Sequence, residues 1–522
     1  MVKSLLLLLI LALGDLHAEL TLPSIFSGHM VLQCERPVPV WGKATPGAQV
    51  HVRFSGQVHT SIADAEGKWK VRLNPMPVSI EPDIMCITSS RDKQTVQIED
   101  ILVGEVWLCS GQSNMHYSMN GLATQNGEPT PIADEITRAD YPLIRQMSVY
   151  STLAPDEPQD DVGGKWEVCT PQNAGGFSAT AYFFARELFH ELDVPIGIIR
   201  CSWSGSPIQA WTRREVLMNN PVDRKYIEAK DEAERDFDAE AAHNRLQQWK
   251  QENAGKAPPG SVLRENAPPS KTAHYPQTLY NGMLSPIMPY AIRGAIWYQG
   301  EANAQRDQSL SYHWTLSHMI EDWRTQWGQG DFPFYFVQLA NFRSPSKRPL
   351  DMDSWANVRE SQLKTLAIPN TGMAVAIDIG EEKDVHPRNK IEVGRRLALW
   401  PLAKVYDINV VCSGPLYNDA HVEEDEVYLS FTEVADGLMV GQKTTPWSPV
   451  VASNAPLRQF QICGKDHKWV WADARIVSKD TVVVWSDSVP VPVAVRYAWS
   501  SNPIGCNLYN SAGLPASPFR TD

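Results

Sequence analysis

The chain has 522 residues, of which 43% are hydrophobic and 20% are charged, and this ordinary globular composition excludes a predominantly disordered chain. The formal net charge is −13 and no long run of Lys or Arg occurs, which argues against nucleic acid or an anionic membrane surface as the main partner. We therefore expect a small-molecule or glycan ligand.

Residues 1–18 have the pattern of an export signal peptide. Lys3 precedes an apolar run over residues 5–13, and the small residue Ala18 stands where cleavage would occur. This run is too short to span a bilayer and no later run reaches about 20 uninterrupted apolar residues, so no membrane span is predicted. We expect an exported protein, periplasmic or secreted, or lysosomal in a eukaryote. The eight cysteines are too thinly spread for a disulfide-rich scaffold, and their spacing leaves any pairing open.

Residues 19–100 alternate between apolar and polar side chains with frequent turns. Strands are predicted at residues 38–42, 49–54 and 68–73, separated by Pro-Gly and Glu-Gly sequences. This pattern is typical of a small β domain, and we expect a sandwich.

Residues 101–405 alternate apolar, strand-like runs with helical stretches such as residues 179–190, which predicts a parallel sheet covered by helices. Within this region, residues 212–275 are interpreted as an insertion. Its charged stretch from Tyr226 to Trp249 carries apolar residues every four positions and predicts one amphipathic helix.

From residue 406 to 522 the β pattern returns. Strands are predicted at residues 468–471, 481–485 and 491–497. This C-terminal part is either a second β domain or a β extension packed on the first. The sequence leaves the oligomeric state open.

Polar residues follow four of the predicted strands in the α/β region, at residues 109–114, 204–206, 299–301 and 384–386. Functional groups in open parallel sheets collect beyond the carboxyl ends of the strands. Together these segments hold a serine, a histidine, a carboxylate and several amide donors. Acyl transfer requires this set, because a serine hydroxyl needs a base and the base needs a carboxylate to orient it.

We assign the nucleophile to Ser113, the base to His386 and the orienting carboxylate to Asp384. The oxyanion of a tetrahedral intermediate also needs hydrogen-bond donors. The backbone amides of Ser113 and Gly205 and the side chain of Gln299 are the candidates.

Three further residues near these strand ends, Glu301, Asn303 and Trp211, are predicted to contact the substrate. Structural alternatives exist for two of them. A glutamate such as Glu301 is favoured at a helix N-terminus, and a tryptophan such as Trp211 is more often a core residue.

His116 is an alternative base because it lies three residues after Ser113, although no carboxylate partner is evident for it. Glu381 and Glu382 are alternatives to Asp384. The chain lacks the GxSxG, HExxH, GxxxxGK[ST] and GxGxxG motifs and any CxxC pair, so we expect neither a metal nor a nucleotide cofactor.

Four segments resemble the sialate O-acetylesterases, a family of SGNH-type hydrolases. They are VWLCSGQSNM (residues 106–115), IWYQGEAN (296–303), DVHPRNK (384–390) and GLPASPFRTD (513–522). The resemblance implies a three-layer α/β/α domain with a parallel sheet, flanked by β-rich, sandwich-like N- and C-terminal regions.

The same resemblance implies a serine esterase that releases acetate from O-acetylated sialic acids through an acyl-enzyme. It assigns the nucleophile to Ser113, the base to His386 and the oxyanion donors to Ser113, Gly205 and Gln299. An esterase acting on acetylxylan or another polysaccharide is the alternative, and a non-catalytic carbohydrate-binding protein is a further one.

Overall fold

The computed structural model describes residues 19–92 and 94–522. The export signal predicted at residues 1–18 therefore lies outside the described residues. Within the described ranges, no helix combines the length and the apolar character needed to cross a membrane.

The N-terminal region is built from short strands that lead into one long strand. Its strands are β1 (Val31–Gln33), β2 (Val38–Lys43), β3 (Gln49–Phe54), β4 (Gln57–Ile62), β5 (Lys68–Leu73), β6 (Ser79–Ser89) and β7 (Thr95–Gly111). The strands predicted at residues 38–42, 49–54 and 68–73 are β2, β3 and β5. The first half of β7 pairs with β6, whereas its second half lies in the central sheet. The boundary predicted between residues 100 and 101 therefore falls inside a continuous strand.

The central sheet of the α/β region is parallel except at one edge. The strands that follow β7 are β8 (Thr124–Gln125), β9 (Glu128–Pro129), β10 (Tyr141–Val149), β11 (Gly164–Cys169), β12 (Ile196–Ser202), β13 (Gly294–Tyr298), β14 (Phe334–Gln338) and β15 (Thr371–Val375). The sheet order is β11-β10-β12-β7-β13-β14-β15, and only the β10–β11 pair is antiparallel among these neighbours. The predicted parallel sheet is confirmed.

The helices all lie in the α/β region of the described chain. They are α1 (Ser113–His116), α2 (Met119–Leu122), α3 (Pro131–Arg138), α4 (Ala179–Leu192), α5 (Arg214–Leu217), α6 (Pro221–Arg235), α7 (Ala239–Glu252), α8 (Gly260–Glu265), α9 (Arg306–Trp327), α10 (Ser354–Thr365) and α11 (Lys390–Lys404). Single turns of tighter or wider helix occur at Ala174–Gly176, Ile208–Trp211, Pro269–Lys271, Tyr280–Leu284, Ser285–Ile287 and Glu301–Asn303.

Helices cover both faces of the central sheet. Phe334 and Tyr335 are consecutive residues of β14, so their side chains point to opposite faces. The ring of Tyr335 stacks 6.1 Å from that of Trp400 in α11, and the ring of Phe334 lies 5.8 Å from that of Trp323 in α9. The expected three-layer α/β/α arrangement is therefore confirmed.

Within the insertion, the charged stretch from Tyr226 to Trp249 belongs to two helices where one was predicted. The prediction of a single helix from Tyr226 to Trp249 is wrong, because α6 ends at Arg235 and α7 begins at Ala239. The side chain of Asp238 accepts a hydrogen bond from the Ala241 N–H and caps α7. An aspartate in this position favours a new helix N-terminus over continuation of the preceding helix, and the four-residue spacing did not reveal the break.

The C-terminal region is β-rich, as expected. Its strands are β16 (Leu416–Glu423), β17 (Glu426–Thr432), β18 (Leu438–Gln442), β19 (Val451–Ala452), β20 (Phe460–Cys463), β21 (Val470–Trp471), β22 (Asp473–Ile476), β23 (Thr481–Trp485), β24 (Ala494–Tyr497), β25 (Leu508–Asn510) and β26 (Phe519–Arg520). It packs on the α/β region: the fully buried guanidinium of Arg359 in α10 donates to the carbonyls of Ser500 and Ser501.

Candidate active site

The turn after β7 carries Ser113 to the edge of the central sheet. Gly111, the last residue of β7, has φ +139°, and a Cβ atom there would lie 2.2 Å from the Tyr298 carbonyl oxygen of β13. Glycine is therefore required where these two strands approach each other. The chain turns at once into α1, and Ser113 keeps 7% of its surface exposed at the first position of that helix.

Three predicted side chains meet at this edge. The hydroxyl Oγ of Ser113 lies 2.9 Å from Nε2 of His386, and Nδ1 of His386 lies 3.1 Å from Oδ1 of Asp384. The same carboxylate oxygen accepts a hydrogen bond of 2.9 Å from the His386 backbone N–H. With Nδ1 donating to Asp384, the lone pair of Nε2 faces the serine hydroxyl.

The alternative residues from the sequence are engaged elsewhere. Nδ1 of His116 lies 3.1 Å from the Ser202 carbonyl. The carboxylate of Glu381 forms an ion pair of 2.8 Å with Arg388, and that of Glu382 accepts a hydrogen bond from a serine in the loop after β14. Asp384 is thus the carboxylate that touches the imidazole.

Burial sets the protonation state of His386. It lowers the pKa of the imidazole below its ordinary value, Asp384 opposes this shift, and the positive charges of Lys390 and Arg388 reinforce it. The imidazole is therefore neutral near pH 7 and able to accept a proton from Ser113.

Two backbone amides at this edge are free to donate. Within the described part of the chain, the N–H groups of Ser113 and Gly205 have no hydrogen-bond acceptor. Gly205 has φ +74°, the left-handed region that glycine adopts readily. Its turn follows β12, and the Trp203 N–H donates to the Gly111 carbonyl at 3.1 Å. The two amides thus follow the carboxyl ends of β7 and β12, which are neighbouring strands of the central sheet.

The predicted oxyanion role of the Gln299 side chain needs correction. Its Nε2 donates to the Ser206 carbonyl at 3.2 Å and to Oδ1 of Asn303 at 2.7 Å, so both amide hydrogens are used. Its Oε1 accepts from the Tyr312 hydroxyl at 2.7 Å, and the residue is fully buried. Gln299 therefore holds the turn at Ser206 and has no side-chain hydrogen left for an oxyanion.

Asn303 and Trp211 are wrong as predicted substrate contacts, because both are completely buried. The indole of Trp211 lies edge-on to Trp297, 6.1 Å between ring centroids, and its Nε1 donates to the Ser206 hydroxyl. Asn303 donates through Nδ2 to Gln209. These side chains support the Gly205–Ser206 turn from the protein interior. Trp211 is therefore a core residue, which was the structural alternative given for it.

A buried polar network joins the serine turn to the histidine segment. The amide of Asn114 donates to Oε1 of Glu301 and to the Val385 carbonyl, the latter at 3.1 Å. The ammonium of Lys390 donates to Oδ1 of Asn114 and to the Pro387 carbonyl, both at 2.6 Å. Glu301 thus contacts the catalytic turn from within, and its oxygen Oε2 is enclosed without a partner in the described chain.

Lys390 is a buried residue beside the candidate site that the sequence analysis did not identify. It is fully buried, and burial lowers its pKa to about 7, while burial raises the pKa of Glu301. A signal was present: Lys390 shares the apolar stripe of α11 with Val393, Gly394 and Leu397, at helical spacing of three and four residues. A lysine on such a stripe is unusual and indicates a buried partner.

The cysteine thiols near Ser113 and the possible metal ligands of the described residues were considered as further reactive groups. All eight cysteines are free. Burial raises the pKa of the Cys109 and Cys201 thiols on the strands beside Ser113, so neither is a thiolate at neutral pH. Among residues 19–92 and 94–522, no group of three His, Cys, Asp or Glu side chains is arranged to hold a metal ion.

Known proteins resemble the chain over nearly its whole length. A family model described as carbohydrate esterase, sialic acid-specific acetylesterase matches residues 246–400, which include His386 and Asp384. The sialate O-acetylesterases of Homo sapiens and Mus musculus are each 30% identical over 95% of this chain and over 91% and 93% of their own lengths. The crystal structure of a carbohydrate acetylesterase from Xanthomonas citri is 36% identical, covers 96% of this chain and 99% of its own, and superposes with a TM-score of 0.79. The chain is therefore a carboxylic ester hydrolase and belongs to the sialate O-acetylesterase family.

Proposed function

We propose that the protein hydrolyses O-acetyl esters of sialic acids through an acetyl-enzyme on Ser113. The observation that carries the mechanism is the chain of contacts from the Ser113 hydroxyl to His386 at 2.9 Å and from His386 to Asp384 at 3.1 Å. The choice of sugar is supported by the descriptions of the family model and of the mammalian relatives.

In the first half of the reaction, Oγ of Ser113 attacks the acetyl carbonyl carbon and its proton passes to Nε2 of His386. Asp384 stabilises the resulting imidazolium through Nδ1. The tetrahedral intermediate collapses with cleavage of the bond between the acetyl carbon and the sugar oxygen. That oxygen takes the proton from His386, and the sugar leaves as an alcohol.

The oxyanion of the tetrahedral intermediate is stabilised by the free backbone N–H groups of Ser113 and Gly205. Gln299 contributes indirectly, because its hydrogen bond to the Ser206 carbonyl holds the turn that contains Gly205. Backbone donors of this kind are fixed before the substrate binds and need no reorganisation during the reaction.

In the second half, water attacks the acetyl group on Ser113 while His386 removes a proton from the water. Collapse of the second tetrahedral intermediate breaks the bond to Oγ. The serine recovers its proton from His386, and acetate is released. The cycle needs no group beyond the side chains and amides already described.

A neutral sugar ester is the second candidate substrate. The description of the Xanthomonas citri relative names carbohydrate without a particular sugar, so an acetylated xylan or another polysaccharide keeps the same mechanism. A non-catalytic carbohydrate-binding role is not favoured, since binding alone requires no base at a serine hydroxyl.

The test is acetate release by the purified protein, without added metal, from O-acetylated sialic acid and from acetylated xylo-oligosaccharides in parallel. Ser113→Ala is the blank. Serine-dependent release with preference for the sialate supports the proposal. Preference for the xylo-oligosaccharide keeps the mechanism and replaces the substrate, and no release from either by folded protein contradicts the proposal.

A further inference from the structure

A groove lies between the insertion and the turn that carries Gly205. It has a volume of about 320 Å³ and its walls include Trp203 and Ser204 from the turn and Leu263, Arg264, Lys271 and His274 from the insertion. Trp203 is only partly buried, so its indole contributes a surface to the groove. The residues of the insertion that form the other wall belong to α8 and to the segment that follows it.

The insertion side of this groove is positively charged. Arg264 and Lys271 are exposed, and within the described chain neither forms an ion pair; the ion pairs of the insertion involve Arg213 and Arg214 instead. This cluster of unpaired cations stands out on a chain whose net charge is −13. An unneutralised positive groove on an acidic protein attracts small anions.

His274 lies in the same cluster but does not add to its charge. Burial, and then the positive charges of Arg264 and Lys230, lower the pKa of His274 to about 4. The imidazole is therefore neutral at pH 7, and the charge of the groove comes from the arginine and lysine side chains. The pKa of Lys230 is itself lowered, by burial and by the charge of Arg264.

The groove adjoins the candidate active site. Two residues of its wall, Trp203 and Ser204, immediately precede Gly205, the residue whose N–H we assign to the oxyanion. The Trp203 N–H also donates to the Gly111 carbonyl, two residues before Ser113. A substrate whose acetyl group reaches Ser113 therefore has this groove beside it.

We propose that this groove is a subsite for the carboxylate of an acidic sugar, with Arg264 and Lys271 as its ligands. A guanidinium binds a carboxylate through two parallel hydrogen bonds, and an ammonium adds a compact charge. Trp203 and Leu263 give the sugar ring an apolar surface. The inference rests on the proposed function, because it assigns the sugar acid that the esterase recognises, and it gives residues 212–275 a role in substrate choice.

The test compares an O-acetylated sialic acid with its neutral carboxamide in steady-state acetate release. The variants are Arg264→Gln, Lys271→Gln and the double variant. Lys250→Gln, an exposed lysine of α7 away from the groove, is the matched control. We expect the double variant to raise KM for the acid about tenfold or more, which is the loss of a charged hydrogen bond, and to leave kcat unchanged. KM for the carboxamide should change by less than about twofold in every variant.

Added salt gives a second readout. Raising the ionic strength should increase KM for the acid with the wild-type protein and should have little effect with the double variant, since exposed charges are screened. Equal KM values for the acid and the carboxamide in the wild type, with no change in the double variant, would overturn the subsite while the esterase function stands.

Binding without turnover separates this inference from the proposed function. Ser113→Ala protein is titrated calorimetrically with sialic acid that carries no acetyl ester, with and without the two groove substitutions. Binding that the groove substitutions abolish supports the subsite even if no acetyl sialate is cleaved. If the protein with Ser113→Ala, Arg264→Gln and Lys271→Gln together binds sialic acid as tightly as Ser113→Ala alone, the subsite is contradicted, whatever the esterase activity.

Discussion

Two polar layers at the edge of the central sheet differ in how far their hydrogen bonds are satisfied. The upper layer consists of Ser113, His386 and Asp384, which keep some exposed surface. The lower layer consists of Asn114, Gln299, Glu301, Asn303 and Lys390, whose amide and ammonium groups already bond to one another and to nearby carbonyls. Polar residues of similar appearance in the sequence thus separate into those that can bind a new atom and those that hold the first set in place.

The two layers are also coupled electrostatically. Asp384 raises the pKa of His386 and Lys390 lowers it, so one charge from each layer acts on the base in opposite directions. Substitutions in the two layers should therefore move the acid limb of the pH–rate profile in opposite directions, which is the basis of the second and third predictions.

The largest effect is expected from removing the reacting groups of the upper layer. Ser113→Ala and His386→Ala should each lower kcat by about 10⁶, because the two groups act as a unit. Acetate release checks this, with circular dichroism to confirm that both variants are folded. Retention of most activity by both variants would show that Ser113 and His386 are not the nucleophile and the base.

The next effect is expected at Asp384. Asp384→Asn should lower kcat by about 10⁴, since the imidazole loses its correct tautomer and orientation. Because Asp384 raises the pKa of His386, its removal lowers that pKa further, and residual activity should persist to lower pH than in the wild type. The pH profile of kcat/KM measures this shift.

Glu382→Gln is the matched control for Asp384, because Glu382 is an exposed carboxylate two residues away. It should leave both the rate and the profile unchanged. A shift of the Asp384→Asn profile to higher pH would contradict the assigned contact with His386.

A smaller effect is expected from the lower layer. Lys390→Met should lower kcat/KM by about 10², since a displacement of about 1 Å in the residues it holds costs that much. Below pH 7 the wild-type lysine is charged and opposes protonation of His386, so its removal raises the pKa of His386 and moves the acid limb to higher pH. An unchanged profile with an unchanged rate would show that Lys390 does not act on the base.

The smallest effect is expected at the histidine beside the serine. His116→Gln should change kcat by less than about threefold, because His116 faces the Ser202 carbonyl and the guanidinium of Arg200. The same acetate assay measures it. A loss comparable to that of His386→Ala would restore His116 as the base.

The central sheet and the residues of the upper layer were predictable because local sequence patterns indicate both. Continuous apolar runs mark buried parallel strands, and polar residues after those runs mark the edge where Ser113, Gly205 and His386 lie. The sequence favoured Asp384 and left Glu381 and Glu382 as alternatives, and the contact of 3.1 Å between Asp384 and His386 decides between them.

The lower layer was predictable only in part, since its roles depend on partners distant in sequence. Gln299 is an oxyanion candidate by position, and only the fold shows that Ser206 and Asn303 take both of its hydrogens. Trp211 follows a functional turn, yet it packs inward. Lys390 had a readable signal in the apolar stripe of α11, although its partner Asn114 lies 276 residues earlier.

The central claim is that Ser113, activated by His386, is the nucleophile. The most direct measurement is covalent labelling with an organophosphonate fluoride, which transfers its phosphorus to an activated serine oxygen with loss of fluoride. We predict one label per chain, located on Ser113 by peptide mass spectrometry, with acetate release lost in proportion to labelling and no label in His386→Ala. Loss of activity with the label elsewhere, or full activity with Ser113 labelled, would contradict the account.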